Sequence, residues 1–544
     1  MLAGAVTAGI YTTNSPSACQ YIVNHSESHV VVCDGVKQLD KFLAIQRDIP
    51  TVKALVLYNE PCVPDGIASS IPIYTFESFL ELGAGVSDAA LQERMDAQRP
   101  GHCCSLIYTS GTTGDPKAVM ISHDNVTWTA SVLIDTFEKQ FNVSMDQRQR
   151  IVSYLPLSHI AAQMLDLLLP ACCGAQLFFA EPDALKGTLG MTLKEVRPTI
   201  FFGVPRVWEK IAEKMVELAA QNSGLKARIG AWAKSKGAMK TQLAQFGQSG
   251  GAPCGYSVAN ALVLHRVKQA LGLDDCFACF TAAAPIKREI IEYFGSLDLP
   301  VFEFFGMSEV TGPQTLNFQG QWKIGTCGRS MPGVETRVVE DTEELVFRGR
   351  NVMMGYLKAE DQTRATIDED GWLHSGDCGA LDADAFMAVT GRIKELIITS
   401  GGENVPPLLI ESCLKEELPL LSHAMVVGDQ RKFLTALFTL RVDVDNDGNP
   451  TDNLDAKALS ICKEIGSSAT TVAEAKADPA VQAYLEQGLM RANTRATSHA
   501  QNVGKFAVLD DDFSAAGGEL TATLKVRRQA VLRKYAVVID AMYD

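Results

Sequence analysis

The sequence lacks a stretch that is long and apolar enough to cross a membrane as a helix, because a span needs ~20 nearly uncharged residues. The most apolar stretch, residues 160–180, is interrupted by Asp166, Pro170 and two glutamines. Its pattern predicts a buried helix, a turn and then a strand. We therefore expect a cytoplasmic protein, for which peripheral association with the endoplasmic reticulum or another membrane stays open.

Positive charge is also scarce. The chain has 49 Lys and Arg against 64 Asp and Glu, a formal net charge of -15. A large nucleic-acid footprint needs concentrated Lys and Arg to replace counterions, so the sequence argues against nucleic-acid binding. The acidic balance does not restrict a small-molecule substrate, and nothing in the sequence implies an obligate protein partner.

We also expect no secretory leader, and the single C-x-x-C motif has no second cysteine pair near it. The chain opens MLAGAVTAGIY, without a basic segment, so its 14 cysteines are expected to be free thiols in a reducing compartment. Cys276 and Cys279 have C-x-x-C spacing, but a structural zinc site needs four ligands and the pair lies in the apolar run CFACFTAAAP. A buried strand is the favoured interpretation there, with metal or redox chemistry as the alternative.

The sequence is rich in apolar residues, which make up 47% of the chain, whereas charged residues make up 21%. A chain of 544 residues is expected to form several globular units. Strand candidates are residues 54–58, 105–108, 176–180, 199–204, 276–282 and 301–305, and residues 286–297 have a helical apolar face. This alternation predicts an α/β fold, with parallel or mixed sheets covered by helices.

The pattern changes near residue 333, where short strands with close turns predict a β-rich subdomain over about 333–391. We expect a large N-terminal domain over 1–391 and a smaller, mobile α+β domain over 392–544. Residues 443–455, rich in Asp, Asn and Gly, are expected to be a loop. Residues 218–257 are interpreted as a surface insertion of helix and loop.

The sharpest motif follows the strand candidate 105–108. Its glycines allow close backbone approach, its hydroxyls donate hydrogen bonds and its lysine supplies charge, which are the parts needed to cradle a polyphosphate. The spacing is not that of the Walker loop. The motif consists of Thr109, Ser110, Gly111, Thr112, Thr113, Gly114, Asp115, Pro116 and Lys117.

This ordered string, TSGTTGDPK, resembles the phosphate-loop signature of the adenylate-forming enzymes, which include acyl-CoA synthetases, luciferases and peptide-synthetase adenylation domains. The resemblance implies that the loop binds ATP and that Thr112 contributes to catalysis and to holding Mg²⁺. It also implies that LPLSH at 155–159 is the second core motif, whose His159 lies near the substrate carboxylate. A structural role for a single histidine after a strand is the alternative.

Two further segments match the nucleotide site of that family. FFGMSE at 304–309 resembles a motif in which an aromatic residue stacks on adenine and a glutamate, here Glu309, helps hold Mg²⁺. A small-residue strand end that includes Ala283 and Ala284 resembles the segment that packs against adenine. In FFGMSE and the residue directly before it, the resemblance implies that the ATP-binding residues are Glu303, Phe304, Phe305, Gly306, Met307 and Ser308.

The remaining matches lie toward the C-terminus. The resemblance implies that Asp377 binds the ribose hydroxyls, that Arg392 binds ribose or phosphate, and that Lys394 is the hinge of the mobile domain. Lys525, in GELTATLK, is expected to enter the site and stabilise charge on the carboxylate and the α-phosphate. A loop on the CoA side contains Gly401, Gly402 and Glu403.

Taken together, the motifs imply an ATP-dependent acid–CoA ligase that uses Mg²⁺, ATP and coenzyme A. FFGVPRVW at 201–208 and GGENVPP at 401–407 look most like the bubblegum-type long-chain fatty acid–CoA ligases. A ligase for a medium-chain or aromatic acid is one alternative. Because the opening segment resembles the interior of the family's N-terminal domain, we also expect that its first part is missing, and an inactive, truncated nucleotide-binding isoform is the other alternative.

Overall fold

The computed structural model describes residues 3–109, 116–398, 404–445, 449–496, 498–521 and 525–544. The first part of the chain alternates short strands and helices. These are β1 (Thr7–Ala8), α1 (Pro16–His25), β2 (Val30–Asp34), α2 (Val36–Ala44), β3 (Ala54–Tyr58), β4 (Ile73–Thr75), α3 (Phe76–Glu81), α4 (Asp88–Asp96), β5 (Cys103–Thr109), β6 (Lys117–Ser122) and α5 (His123–Phe141).

The central part contains the largest sheet and the helices that cover it. Its elements are β7 (Arg150–Ser153), α6 (Ile160–Ala162), α7 (Leu169–Cys173), β8 (Gln176–Phe179), α8 (Leu189–Val196), β9 (Ile200–Phe202), α9 (Pro205–Ala220), α10 (Gly224–Leu243), α11 (Tyr256–Ala259), α12 (His265–Leu271), β10 (Ala278–Thr281), α13 (Arg288–Ser296), β11 (Val301–Met307), β12 (Gly312–Leu316) and β13 (Arg329–Ser330). Two π-helical segments, Gln163–Leu168 and Asn260–Leu264, continue α6 and α11.

The last part contains a β-rich segment followed by a mixed one. The elements are β14 (Val334–Val339), β15 (Glu344–Gly349), β16 (Gly355–Tyr356), α14 (Glu360–Thr366), β17 (Leu373–Leu381), β18 (Met387–Arg392), β19 (Ile397–Ile398), β20 (Asn404–Val405), α15 (Pro407–Glu417), β21 (Leu421–Val427), β22 (Leu434–Leu440), β23 (Val442–Val444), β24 (Pro450–Leu454), α16 (Ala456–Glu464), α17 (Val472–Ala477), α18 (Pro479–Thr494), β25 (Val503–Val508), α19 (Arg528–Lys534) and α20 (Ala536–Ala541). None of the helices in the described ranges is long and apolar enough to cross a membrane.

The largest sheet has the strand order β13-β12-β11-β10-β9-β7-β8. Strands β8, β7, β9, β10 and β11 are parallel, and β12 and β13 join antiparallel. Its central strands β9, β10 and β11 contain aromatic residues and are largely buried, and Phe280 contacts Phe137 of α5 with ring centroids 5.4 Å apart. Parallel strands that are buried on both faces have continuous apolar sequences, as these strands do. The prediction of an α/β fold is therefore confirmed.

Three smaller sheets complete the larger half of the chain. They are β2-β3-β4, which is parallel, β1-β5-β6-β16, which is mixed, and β14-β15-β17-β18, which is antiparallel. The last of these occupies the region where close turns predicted a β-rich subdomain. Its strands β17 and β18 end next to the large sheet's site, as described below.

Buried side chains after residue 396 pack among themselves. The apolar clusters built on β21, β22, β25 and α15 contain residues 397–543, whereas the clusters of the larger sheets contain residues up to 389. The predicted division at residue 392 falls between these two groups and stays a prediction. One of the ion pairs that cross it joins Arg441 Nη2 to Glu213 Oε1 at 2.6 Å, and Arg441 Nε also binds Asp455 at 2.9 Å.

The prediction of a loop over residues 443–455 is wrong for most of that segment. Strands β23 and β24 form an antiparallel hairpin in which Val442 pairs with Leu454 and Val444 with Pro450. The hairpin faces solvent on most of its surface, so its strands are polar, and Leu454 alone is a fully buried anchor. Composition was misleading because an exposed hairpin and a loop have similar residue content.

The opening segment of the chain packs directly against the region that precedes His159. Thr7 and Ala8 pair in parallel with Ser105 and Leu106 of β5. A Cβ placed on Gly9 would lie 2.7 Å from Ser158 Cα, well inside the van der Waals distance. The absence of a side chain at Gly9 therefore allows β1 to approach the residue next to His159.

We expect Gly9→Ala to lower the free energy of unfolding by about 1–3 kcal/mol, because the added methyl group must displace Ser158 or β1. Urea unfolding of both proteins measures this. Gly101→Ala is the matched control, since a Cβ on Gly101 meets no atom within 4 Å. An unfolding midpoint that is equal in the two variants would contradict the assigned contact.

Candidate active site

The predicted site residues converge where the parallel strands of the large sheet end. In open α/β sheets, ligands bind in the crevice outside the carboxyl ends of the strands. His159 follows β7, Ala283 and Ala284 follow β10, and Glu309 lies in a 3₁₀ turn that directly follows β11. Strands from two other sheets, β5–β6 and β17–β18, bring the remaining motifs to this crevice.

The phosphate-loop motif connects the two strands of a β-hairpin. Thr109 ends β5 and pairs with Lys117, the first residue of β6. Ser110, Gly111, Thr112, Thr113, Gly114 and Asp115 lie outside the described residues. Pro116 follows them, and its carbonyl accepts a hydrogen bond from the Tyr21 hydroxyl at 3.2 Å.

Glu309 is a buried carboxylate with two cationic or polar neighbours. The hydroxyl of Tyr356 donates to Glu309 Oε1 at 2.9 Å, and Lys117 Nζ lies 4.5 Å from the centre of the Tyr356 ring. Burial raises the pKa of Glu309, while the hydrogen bond from Tyr356 and the charges of Arg392 and Lys117 oppose that rise. The carboxylate is thus held in a place where a further cation would be stabilising.

His159 is neutral at physiological pH. Burial, and secondarily the charge of Lys525, lowers its pKa to about 4. Its Nδ1 accepts a hydrogen bond from the backbone N–H of Ala161 at 3.2 Å, which begins helix α6. This hydrogen bond assigns the ring proton to Nε2, leaving an N–H donor for a substrate oxygen.

The residues of β11 alternate between two faces, so they do not all face the nucleotide crevice. Phe304 is buried in the aromatic core against Phe202 and Phe280, with centroids 5.5 and 6.0 Å away. Phe305, on the opposite face, is half-buried and contacts Phe347. Of the two adjacent aromatics, the geometry therefore favours Phe305 as the ring available to adenine.

The other residues predicted in these segments occupy tight or buried positions. Ala283 has φ +75°, an uncommon conformation for a residue with a side chain, directly after β10. A Cβ on Gly306 would lie 1.9 Å from Gly312 O, so this position requires glycine. Ser308 is buried and Met307 half-buried, and burial raises the pKa of Glu303 to about 7.

Asp377 and Arg392 are direct partners across strands β17 and β18. Their Cα positions are paired in the ladder, and Arg392 Nε donates to Asp377 Oδ1 at 2.8 Å. Asp377 is 4% exposed. Burial raises its pKa, and the charges of Arg392 and Lys525 counter this rise.

Lys525 reaches the same crevice from the C-terminal end of the chain. Loss of water around its ammonium lowers its pKa and Arg392 lowers it further, whereas Asp377, Glu309 and Glu395 raise it. The loop that carries it closes through Lys525 N, which donates to Thr521 Oγ1 at 3.0 Å, and through Thr521 N, which donates to Lys525 O at 2.8 Å. The buried carboxylate of Glu519, bonded to Lys534 and Tyr535, anchors the start of this loop.

The predicted hinge residue, Lys394, is exposed in the 3₁₀ turn Ile393–Glu395, two residues beyond Arg392. Its charge contributes to lowering the pKa of Lys117, after burial. Gly401, Gly402 and Glu403 lie outside the described residues. Among the described residues, no cluster of three or more His, Cys, Asp or Glu side chains forms a metal site.

Comparison with known proteins assigns this arrangement to a family. A family model described as AMP-binding enzyme matches residues 1–357, and one described as AMP-binding enzyme C-terminal domain matches residues 394–463. The chain is 46% identical over 551 residues to the long-chain-fatty-acid–CoA ligase ACSBG1 of Homo sapiens, covering 100% of this chain and 75% of that protein. The chain belongs to the AMP-binding enzyme family.

Other relatives agree with this assignment. The long-chain-fatty-acid–CoA ligase ACSBG2 of Xenopus laevis is 45% identical over 552 residues, which cover 100% of this chain and 74% of that protein. The predicted membership of the bubblegum-type group within the AMP-binding enzymes is therefore confirmed.

Solved structures at low identity share the fold. The anthranilate CoA ligase AuaEII, in complex with anthranoyl-AMP, has a TM-score of 0.65 at 18% identity, covering 99% of this chain and 84% of that chain. The adenylation domain of a carboxylate reductase from Mycobacterium chelonae has a TM-score of 0.66 at 19% identity, covering 99% and 76%. The AMP-binding enzyme fold, with a large α/β part and a smaller C-terminal part, is shown by this likeness.

Two residues of this AMP-binding enzyme's crevice were missed by sequence reasoning. Tyr356, the hydrogen-bond donor to Glu309, comes from the short strand β16, 47 residues beyond Glu309 in the chain. Tyr356 ends the run EELVFRGRNVMMGY, in which no residue stood out as a site candidate. Asp166 lies in the π-helical segment that follows His159, and π-helical turns are frequent at functional sites.

Asp166 is a buried carboxyl near the ends of β7 and β9. It is 4% exposed, and burial raises its pKa from 3.8 to about 7, with a hydrogen bond to Ser153 opposing the rise. Its charge in turn contributes to raising the pKa of Tyr154, whose hydroxyl donates to Phe202 O at 2.9 Å. The group is therefore largely protonated below neutral pH.

We expect Asp166→Asn to make the protein more stable at pH 8 and to have no such effect near pH 4. The folded state holds the Asp166 proton up to about pH 7 whereas the unfolded chain loses it near pH 4, so this group makes the unfolding free energy fall as pH rises through that window. The amide removes a penalty of roughly 2–4 kcal/mol.

Urea unfolding at pH 4, 6 and 8 measures the effect of Asp166→Asn. Asp40→Asn, on the exposed face of α2, is the control for loss of one carboxylate. A stability difference that does not change with pH, or that is equal in the control, would rule out a buried proton at Asp166.

Proposed function

We propose that this protein activates a long-chain fatty acid with ATP to an acyl-adenylate and then transfers the acyl group to coenzyme A, releasing AMP and pyrophosphate. The observation that supports the proposal is that the charges of Asp377 and Glu309 both act to raise the pKa of Lys525. These three residues come from the C-terminal end, the β-rich sheet and the large sheet. Long-chain-fatty-acid–CoA ligases that are 45–46% identical over the whole chain support the same activity.

In the first half-reaction the fatty-acid carboxylate oxygen attacks the α-phosphorus of ATP, and the bond to the β-phosphate oxygen breaks in line. Negative charge accumulates around the α-phosphate during this step, so catalysis depends on positioning and on charge stabilisation. Lys525 supplies a cation there, and the Nε2–H of neutral His159 donates to an oxygen of the acid. Pyrophosphate leaves toward the loop that ends at Lys117.

We propose that the remaining residues bind ATP. Asp377 is a bidentate acceptor for the two ribose hydroxyls, and Arg392, half-exposed beside it, binds ribose or phosphate. The Phe305 ring stacks on adenine, with Ala283 and Ala284 bordering the base. Thr109, Ser308 and the segment 110–117 complete the phosphate contacts.

The residues also fit a magnesium ion. Mg²⁺ is bound in such sites by one or two carboxylates together with substrate phosphates. Glu309 provides one buried carboxyl group, whose pKa burial raises, and Thr112 is proposed as a second oxygen ligand. When bound, the ion supplies neutralisation of the polyphosphate charge.

In the second half-reaction the CoA thiolate attacks the acyl carbonyl carbon, the bond to the adenylate oxygen breaks, and AMP leaves. We propose that the part of the chain beyond Lys394 rotates about that residue between the two steps, so that Lys525 withdraws and the loop with Gly401, Gly402 and Glu403 faces the thiol. The ion pair between Arg441 and Glu213 holds the first orientation and must open during this rotation. Domain rotation of this kind gates many enzymes.

A ligase for a medium-chain or aromatic acid differs from this proposal in substrate alone. Pyrophosphate release is measured with fatty acids of about 8 to 24 carbons and with benzoate, each at the same concentration. The acid with the highest activity distinguishes the two kinds of ligase. We expect the highest kcat/KM with long chains. Highest activity with benzoate or octanoate would overturn the long-chain assignment. No pyrophosphate release with any acid would instead favour an inactive nucleotide-binding protein.

We expect Lys525→Ala to reduce fatty-acid-dependent exchange between ATP and pyrophosphate by at least about 100-fold, because the cation acts on charge that develops in that step. CoA transfer from preformed acyl-adenylate should change less than about threefold. Lys463→Ala, an exposed lysine on α16, is the control. Equal losses in the two half-reactions would contradict the role given to Lys525.

Tyr356→Phe tests the magnesium assignment, since it removes the hydroxyl that donates to Glu309 and keeps the ring beneath Lys117. A lost hydrogen bond to a charged group costs about 1.5–3 kcal/mol, so we expect adenylation to slow by about tenfold or more and its half-maximal Mg²⁺ concentration to change. Tyr58→Phe, on an exposed strand end, is the control. An unchanged Mg²⁺ dependence would separate Tyr356 from the metal.

A further inference from the structure

One surface segment of this acidic protein carries no negative charge. Between Glu217 and Asp274 the sequence contains no Asp or Glu, whereas it contains seven Lys and Arg. The chain as a whole has a net charge of -15, so this segment is an isolated basic region. It corresponds to helices α10, α11 and α12 and the turns between them, and the activity proposed above uses none of its residues.

Helix α10 is fixed to the body of the protein along one side. A Cβ on Gly237 would lie 2.1 Å from Ser296 O, and Thr241 Oγ1 donates to Gly295 O at 2.7 Å, which shows how closely α10 packs on α13. Lys240 and Lys268 both bind the carboxylate of Asp298, at 2.7 and 2.8 Å. The helix is therefore a rigid platform and not a loose insertion.

The side of α10 that points away from α13 carries four apolar residues, with Lys236 on the same side. Leu225, Ile229, Trp232 and Met239 follow one another at spacings of four, three and seven residues, which places them on one helix face. We name these four residues the apolar stripe. They are 71%, 37%, 38% and 46% exposed, and on the neighbouring helix Val258 and Leu262 are 55% and 49% exposed.

Trp232 stands in the middle of this stripe. Its ring lies 3.4 Å from the position of a Cβ on Gly255, so it packs on the turn before α11 while part of it stays open to solvent. The tryptophans at 128, 208, 322 and 372 are all half-buried or buried. Partly exposed Trp beside Leu and Ile is typical of helices that lie in a membrane interface.

Free basic side chains border the apolar stripe. Lys240 and Lys268 form ion pairs with Asp298, and Lys234 Nζ lies 4.5 Å from the centre of the Tyr293 ring. The other basic residues of the segment make no ion pair within the described parts of the chain, so their charge is available. They are Lys226, Arg228, Lys236 and Arg266. Arg228 and Lys236 are helix-surface neighbours of the stripe residues Leu225 and Trp232.

We propose that helix α10, together with α11, docks on an anionic lipid bilayer. The apolar stripe enters the boundary between headgroups and acyl chains, and Lys226, Arg228 and Lys236 contact the anionic headgroups. Charge complementarity favours this occupant, because the segment is purely basic in a protein that is otherwise repelled by a negative surface. The inference does not depend on the proposed function, although a bilayer is also where long-chain acids partition.

Vesicle sedimentation tests the proposal with the full chain. Binding is expected to vesicles of phosphatidylcholine with about 30% phosphatidylserine, and to be much weaker with phosphatidylcholine alone or in about 0.5 M salt. Each basic residue near the surface contributes about fivefold. The triple variant K226Q/R228Q/K236Q should therefore need at least about tenfold more lipid for half-binding.

The matched control removes the same charge elsewhere. K432Q/K457Q/K463Q takes three exposed lysines from the C-terminal part of the chain and should leave vesicle binding unchanged within about twofold. Circular dichroism and thermal unfolding of each variant check folding. Equal loss of binding in the two triple variants would overturn the proposal, because it would show a dependence on net charge and not on this surface.

Fluorescence reports whether the apolar stripe enters the lipid. The anionic vesicles should shift the tryptophan emission of the wild-type protein to shorter wavelength, and Trp232→Phe should abolish the shift while it retains most of the binding. A shift that persists in Trp232→Phe overturns the placement. Absence of vesicle binding, with self-association in analytical ultracentrifugation that Leu225→Gln abolishes, would make this face an interface between copies and would also overturn it.

Discussion

Negative charge buried at the carboxyl edge of the large sheet is the constraint on which the site depends. Glu309 and Asp377 are both less than one tenth exposed, and burial raises the pKa of each. A buried carboxylate persists as an anion only if cations or donors compensate the lost water. Here the compensation comes from Tyr356, Lys117, Arg392 and Lys525, which lie on four separate stretches of the chain.

This distribution links folding to the site. Arg392 reaches Asp377 because β17 and β18 pair in one register, and Lys117 reaches Tyr356 because β6 pairs with β16. Lys525 reaches them only when the C-terminal part is docked, and the Arg441–Glu213 ion pair supports that docking. A defect in any of these contacts therefore acts on the same charge cluster even where it leaves the nucleotide motifs intact.

Sequence reasoning supplies candidate residues where a function requires adjacent residues in order. Thr109, Glu309, Asp377 and Lys525 each stand in a contiguous motif that could be read without knowing the fold. Tyr356 and Asp166 could not be found that way, because their importance arises from contacts across the fold and from burial. Phe304 and Phe305 are an intermediate case. The sequence shows that neighbouring strand residues point to opposite faces, but only the burial of β11 shows that Phe305, and not Phe304, is available to adenine.

The pairing of Asp377 with Arg392 also bears on which ligand contacts persist during the proposed rotation of the C-terminal part. Both residues precede Lys394, and they are held to each other by the ladder between β17 and β18. In the proposed rotation about Lys394, Lys525 is carried away while the ribose contacts proposed for Asp377 and Arg392 stay in place. The reactive mixed anhydride can then remain sequestered between the two steps, which protects it from water during the interval in which the thiol arrives.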